Sequence, residues 1–306
     1  MAMTTRLAAD ARVRSPSRRL GRVAALPLIR RCHAIVVLAL GPALVGCSED
    51  ETADRGCPAV RHAGRGDPGC GEGRGGPMRR IPLPGGGTMC IDQTEVTVGE
   101  YQAFVAHGAL PELPASDPAR PRCAAVTSHR AACDNEPCMG AACDLPQTCV
   151  NQCDAKAYCI WVGKRLCGPV GDEPLALSEV GDPARNQWMN ACSSDGRSWP
   201  YGPDYDGQAC NTSDRRPFAC GRPAVTSAFE GCQAPPGAYD QVFDLSGNVS
   251  EWVDASQEGA DWPELRCVVM GGSYVHYWGD VSCAGATLEW PCNARHPEFG
   301  FRCCAR

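Results

Sequence analysis

The chain has 306 residues, enough for one large or two ordinary domains with a sizeable core, and it holds 22 cysteines at a formal net charge of −6. Residues 1–46 carry eight arginines and one acid, Asp10, so without them 21 basic residues face 34 acidic ones, about −13. A chain that acidic repels a phosphate backbone, which excludes nucleic acid as a class of partner.

In chain order, the first legible feature is the apolar run from Ala34 to Val45 behind the arginines. At about a dozen residues it is too short to span a bilayer and fits the core of a signal peptide. It ends in Leu44-Val45-Gly46-Cys47, which resembles the bacterial lipobox, in which the cysteine is lipidated and becomes the first residue of the mature protein. Residues 1–46 are therefore expected to be a lipoprotein signal peptide. The mature chain is expected in the bacterial cell envelope, extracytoplasmic and attached to the membrane through lipid on Cys47. Cys32 leaves with the leader and Cys47 takes the lipid, so 20 cysteines remain, an even number that reads as a disulfide framework in an exported chain. Ser48 to Pro77 is rich in Gly, Arg, Asp and Pro with almost no large apolar residue. Such a stretch cannot bury enough to fold alone, and residues 47–77 are expected to be a flexible tether that Cys57 and Cys70 could staple to itself.

From Met78 onward the sequence is punctuated. Thr97-Val98-Gly99-Glu100 is a capping box ahead of Tyr101, Phe104 and Val105 at helical spacing, so a short helix should run to about His107. A second should start near Asn151, with Asp154 three residues on, and place Ala155, Tyr158, Cys159 and Val162 on one face before Gly163 stops it. A third has Asp182 as its expected cap and Pro183 at its first position, with Ala184, Trp188 and Ala191 facing inward. Phe299 to Cys304 reads as a strand. Between the first two helices stand Cys123, Cys133, Cys138, Cys143, Cys149 and Cys153, spaced without a C-x-x-C repeat and with only His129 among them. That pattern favours disulfides over a metal cluster. The expectation is one α+β domain over 78–306, with few helices, small sheets, long disulfide-tied loops and a Cys-rich insertion around 123–153.

The motif order then becomes informative. Ile81-Pro82 with Gly85-Gly86-Gly87, Ile91-Asp92-Gln93-Thr94-Glu95-Val96-Thr97, Asp154 through Leu166 ("DAKAYCIWVGKRL"), Phe243 through Val253 ("FDLSGNVSEWV"), Gly271-Gly272-Ser273-Tyr274 and Phe299-Gly300-Phe301-Arg302-Cys303 follow one another. Together they resemble the formylglycine-generating enzyme family, the sulfatase-modifying factors. The resemblance covers the whole of 78–306 and implies a C-type-lectin-like fold. Family members that make formylglycine oxidise a cysteine of a client sulfatase, using copper on two cysteines three and eight residues after the Ser of the GGS turn. Soft thiolates suit Cu(I). In this sequence those positions are His276 and Val281, so the resemblance does not extend to the copper ligands, and copper is not expected. The family also implies disulfides Cys159–Cys303 and Cys192–Cys283. Ser250 replaces the Trp of the family's "NVWEW".

The family further implies a structural calcium held at the turn by Asp244 and Glu251 through side chains and by Gly247 and Val249 through carbonyls. Asn211 would serve a second such ion. Hard oxygen donors of that kind are what calcium needs. The implied function is a membrane-anchored binding protein that holds an exported protein or peptide in the family's substrate groove, at Ser273 and Tyr274. The alternative is a metal-dependent oxidoreductase with altered ligands built on His276.

Overall fold

The computed structural model describes residues 63–305 apart from 71–73, 109, 134–135, 216–219, 258–264 and 286. Cys47, the leader and Cys57 lie outside the described residues. The fold is α+β. Strands β1 (Met78–Pro82) and β2 (Thr88–Asp92) form a hairpin paired Arg80 to Cys90, closed where Leu83 N–H donates to the Gly87 carbonyl at 3.1 Å. Helices α1 (Val98–His107), α2 (Arg120–Cys123), α3 (Gln152–Trp161) and α4 (Gln187–Ser193) alternate with long loops and the short strand β3 (Arg165–Leu166). Strands β4 (Ser250–Ser256), β5 (Arg266–Met270), β6 (Leu288–Pro291), β7 (Phe299–Phe301) and β8 (Cys303–Ala305) complete the chain.

Two four-stranded sheets result, ordered β1-β2-β8-β3 and β6-β5-β4-β7. The expected single strand over Phe299–Cys304 is therefore two strands in different sheets. β7 runs parallel to β4, whereas β8 runs antiparallel to β2 and β3. Arg302 is the crossover residue. Its guanidinium donates to both oxygens of Glu251 on β4 (2.7 and 2.6 Å), while the next N–H, that of Cys303, donates to Asp92 Oδ2 on β2 at 2.9 Å. A strand can change sheets only if its backbone groups find partners on both sides: here the Phe301 carbonyl accepts from Val96 N–H at 2.9 Å and the Arg302 carbonyl from Cys167 N–H at 3.4 Å.

Both capping boxes form as expected. Thr97 and Glu100 close α1 reciprocally, and Asn151 and Asp154 close α3. The third helix departs from expectation: it begins at Gln187, with Asn186 as cap accepting from Trp188 N–H at 3.0 Å. The Asp182 carboxylate instead accepts from Ala184 N–H at 2.8 Å in a tight turn, so Pro183 and Ala184 lie before the helix. An Asp-Pro pair starts a turn as readily as a helix, and here the chain must first pass Pro169, which bridges Asn186.

The apolar interior has two main parts. One gathers Tyr101, Phe104, Tyr158, Trp252, Phe299 and Phe301; the other gathers Ile81, Ile91, Trp188, Leu245, Val253 and Met270. Nine disulfides are present among the described residues. Cys159–Cys303 and Cys167–Cys304 tie α3 and β3 to β8. The insertion is held by Cys123–Cys153, Cys133–Cys149 and Cys138–Cys143. Cys70 pairs with Cys90 on β2, not with Cys57. Consistent with that bond, part of the expected tether lies on the domain: Asp67 accepts from Arg79, and Gln93 Nε2 donates to the Arg65 carbonyl. That segment lacks apolar residues, but a disulfide and an ion pair hold it where hydrophobic burial cannot. No helix among the described residues is long and apolar enough to cross a membrane.

Candidate functional site

The GGS turn leaves β5 through two left-handed glycines, Gly271 (φ 89°) and Gly272 (φ 68°). A Cβ on Gly272 would lie 2.7 Å from the Asp280 carbonyl, so only glycine lets the loop fold back this closely. Ser273 is fully buried. Its Oγ donates to Glu298 Oε2 at 2.7 Å and lies 2.9 Å from His276 Nδ1, which also accepts from Ser273 N–H at 3.0 Å. Because Nδ1 accepts from a backbone amide, the neutral imidazole carries its proton on Nε2. The order is His–Ser–Glu, with the hydroxyl between base and acid. That is not the arrangement that activates a serine nucleophile, in which the imidazole stands in the middle.

Val281 is fully buried beside Gly272, and its carbonyl accepts from Ser246 Oγ at 2.5 Å. Cys283, the cysteine of this segment, is bonded to Cys192 on α4. The face of the loop that reaches water is aromatic. Val275, Tyr277 and Trp278 are exposed, Trp278 by 61%. The Trp278 backbone is nevertheless held, its N–H donating to Asp214 Oδ2 (3.1 Å) and its carbonyl accepting from Trp199 Nε1 (3.4 Å). Tyr274 N–H donates to the Asn248 carbonyl at 3.0 Å, which joins this loop to the turn before β4.

At that turn the predicted calcium residues separate into two groups. Glu251 is held by two partners: besides both bonds from Arg302 it accepts from Trp188 Nε1 at 2.9 Å. Asp244, in a left-handed conformation (φ 62°), accepts from Ser227 N–H at 2.6 Å and lies within hydrogen-bonding reach of Glu95. Glu95 Oε1 accepts from Asn248 Nδ2 at 2.9 Å, and Asn248 Oδ1 accepts from Asn211 Nδ2 at 3.0 Å. Glu95 Oε2 and Asn211 Oδ1 are buried without a hydrogen-bond partner. Burial holds the Glu95 carboxyl well above its ordinary range, with the neighbouring Asp244 adding to it, and burial pushes Asp244 up to about 6. Gly247 packs directly on Asn211, whose carbonyl a Cβ would meet at 2.3 Å, and Val249 is fully buried. Among the described residues no three His, Cys, Asp or Glu side chains converge as a metal cage. The unpaired oxygens of Glu95 and Asn211 lie on residues linked through Asn248, with the Asp244 carboxylate in reach of Glu95; the hydroxyls of Thr212, Thr226 and Ser250 are buried without a partner as well. All are hard donors suited to calcium, but any ion there must complete its shell with backbone carbonyls.

Sequence reasoning did not assign roles to Glu95, Glu298 or Arg302, although Glu95 and Arg302 stand inside quoted motifs. The available signal was their position: an acid between Thr94 and Val96, and an arginine between the aromatic Phe301 and the paired cysteines, sit where side chains are expected to be buried. A buried ionisable group needs a partner.

A disulfide-rich α+β body in which Glu251 and Arg302 join the "GNVSEW" strand to the "GFRC" crossover, and Tyr274 and Gly271 join the GGS loop to the turn before that strand, defines a domain of the formylglycine-generating-enzyme type. The profile of the sulfatase-modifying factor enzyme 1-like domain matches residues 26–306, and the chain belongs to that family. No curated protein sequence matches it. Among solved structures it is similar to PvdO from Pseudomonas aeruginosa, at 16% identity and a TM-score of 0.47, covering 75% of this chain and 91% of that one. It is also similar to Treponema denticola variable protein 1 (15%, TM-score 0.44, covering 76% and 94%) and to CarF (17%, TM-score 0.44, covering 71% and 86%).

Proposed function

We propose that this chain is an exported, lipid-anchored binding protein of the sulfatase-modifying factor family, using the loop around Ser273 and Tyr274 to hold an exported peptide or protein. The observation that carries this reading is the chemistry of the loop. The positions that bear copper thiolates in formylglycine-generating members are His276 and Val281 here, and Val281 is buried. Cys283 is closed in a disulfide with Cys192. In their place the loop offers exposed Val275, Tyr277 and Trp278 on a rigid backbone, the kind of aromatic surface that anchors partners. Nine disulfides fit an oxidising, extracytoplasmic setting. A structural calcium at the turn before β4 is part of the proposal. Asp244 and Asn211 are kept from the expected residues, and Glu95 joins them in place of Glu251, whose carboxylate is already held by Arg302 and Trp188. The ion would neutralise two buried acids and fix the turn that carries the Tyr274 contact.

The test is aerobic purification of the full chain, elemental analysis, and incubation with a Cys-x-Pro-x-Arg peptide under oxygen. The expected result is calcium without copper, an unoxidised peptide cysteine, and peptide binding that weakens in Trp278→Ala. Stoichiometric copper with turnover would overturn the proposal in favour of an oxidoreductase built on His276.

A further inference from the structure

A cleft of about 810 Å³ opens where the segment 114–122, which leads into the Cys-rich insertion, meets α3, β3 and the end of β4, and it shares no residue with the GGS loop. One wall is that segment's Pro114, Pro118 and Pro121; the other includes Leu166, Pro174 and Leu175. The volume lies within the range of small-molecule sites, and the walls are mostly apolar, as such sites are. The floor is polar and asymmetric. Lys156, buried on α3, binds both acids of the cleft floor, Asp117 Oδ2 at 2.9 Å and Asp254 Oδ1 at 2.5 Å.

Arg122, in the same lining, is hydrogen-bonded to a neutral group instead of to an acid. Its Nη2 donates to the neutral Gln152 Oε1 at 2.6 Å, it forms no ion pair among the described residues, and its Nε–H is buried with no acceptor. Burial lowers the Arg122 pKa, and the fields of Asp254 and Asp117 only partly offset it. The Cys123–Cys153 disulfide beside it anchors α2 to α3 and keeps Arg122 across from Gln152. A buried donor left without an acceptor is costly, and a guanidinium facing a cleft is best satisfied by an oxyanion.

We propose that this cleft is a second binding site, which takes an organic carboxylate: the acid group accepts from Arg122 while an apolar body lies between the proline wall and the Leu166–Leu175 wall. The proline-rich segment ahead of the insertion thus has a role of its own, as one side of a pocket.

The test is fluorescence titration of the full chain with dansyl-labelled undecanoic acid, a carboxylate on an apolar tail, and with its methyl ester. The acid should bind saturably and one to one. The ester, and the acid with Arg122→Gln, should bind about tenfold more weakly, the loss of one charge-assisted hydrogen bond. Trp278→Ala should leave acid binding unchanged. Equal affinity for acid and ester, full affinity in Arg122→Gln, loss in Trp278→Ala, or no saturable binding would each overturn the proposal. The acid–ester comparison uses the unaltered chain, so it decides even if the Arg122 variant fails to fold.

Discussion

At the scale of single residues, the buried charges decide most. Arg302 and Glu251 are both fully enclosed, and the pair is completed by Trp188 and by the Asp92 and Phe243 carbonyls. Removing one partner leaves the other charged and buried, so Arg302→Met should cost about 3–5 kcal/mol in urea unfolding under non-reducing conditions. The Glu95–Asp244 pair behaves in the opposite way because both members are acids. Burial raises both, Asp244 to about 6, so the folded chain holds protons that the unfolded chain releases near pH 4. The stability that the Asp244 proton confers is whole below about pH 4 and is lost as pH rises through about 6, and the stability from Glu95, raised further by burial, is lost as pH rises in the same direction. In a chelator, thermal stability should therefore fall between pH 4 and pH 7. Added calcium should raise Tm more at pH 7 than at pH 5, because it favours the charged forms. A chelated Tm that rises through that window would count against this account.

At the scale of elements, caps make a sharp comparison. Thr97 closes α1 from a position the sequence marks clearly, and Thr97→Ala should cost about 1 kcal/mol of stability. Asp182 carries the sequence signal for the third helix but caps a turn, whereas Asn186 caps the helix itself, donates to the Val180 carbonyl and is fully buried. Asn186→Ala should cost about 2 kcal/mol or more and Asp182→Ala a few tenths, read by thermal unfolding. The reverse order would mean that the helix begins at Asp182. Both caps look alike in sequence because an Asx side chain bonds whichever nearby N–H the backbone offers.

At the scale of the whole molecule, covalent ties compensate for modest regular structure. Cys159–Cys303 and Cys167–Cys304 span nearly the same long loop, with separations of 144 and 137 residues. With one in place, the other closes only the short circuit between neighbouring ends. Replacing either pair by alanine should cost about 2–3 kcal/mol and replacing both about 7–8, more than the sum of the two single losses, measurable by denaturant unfolding. Additive losses would contradict the shared-loop account.

Much of this molecule was legible in one dimension. The capping boxes at Thr97 and Asn151 depend on atoms three residues apart, so the sequence contains all their partners. The order of motifs from Ile81 to Cys303 was enough to identify the family, and the identities of His276 and Val281 were enough to question the copper chemistry. What the tertiary structure alone decided rests on contacts between residues far apart in the chain. Spacing could not pair Cys70 with Cys90, split 299–304 between two sheets at Arg302, or bring Glu95 to Asp244. Nor could it set the prolines ahead of the insertion opposite β3 to leave Arg122 facing a cleft. Local hydrogen bonds are specified by neighbours, whereas a buried charge, a crossover or a cavity exists only once distant segments have excluded water between them.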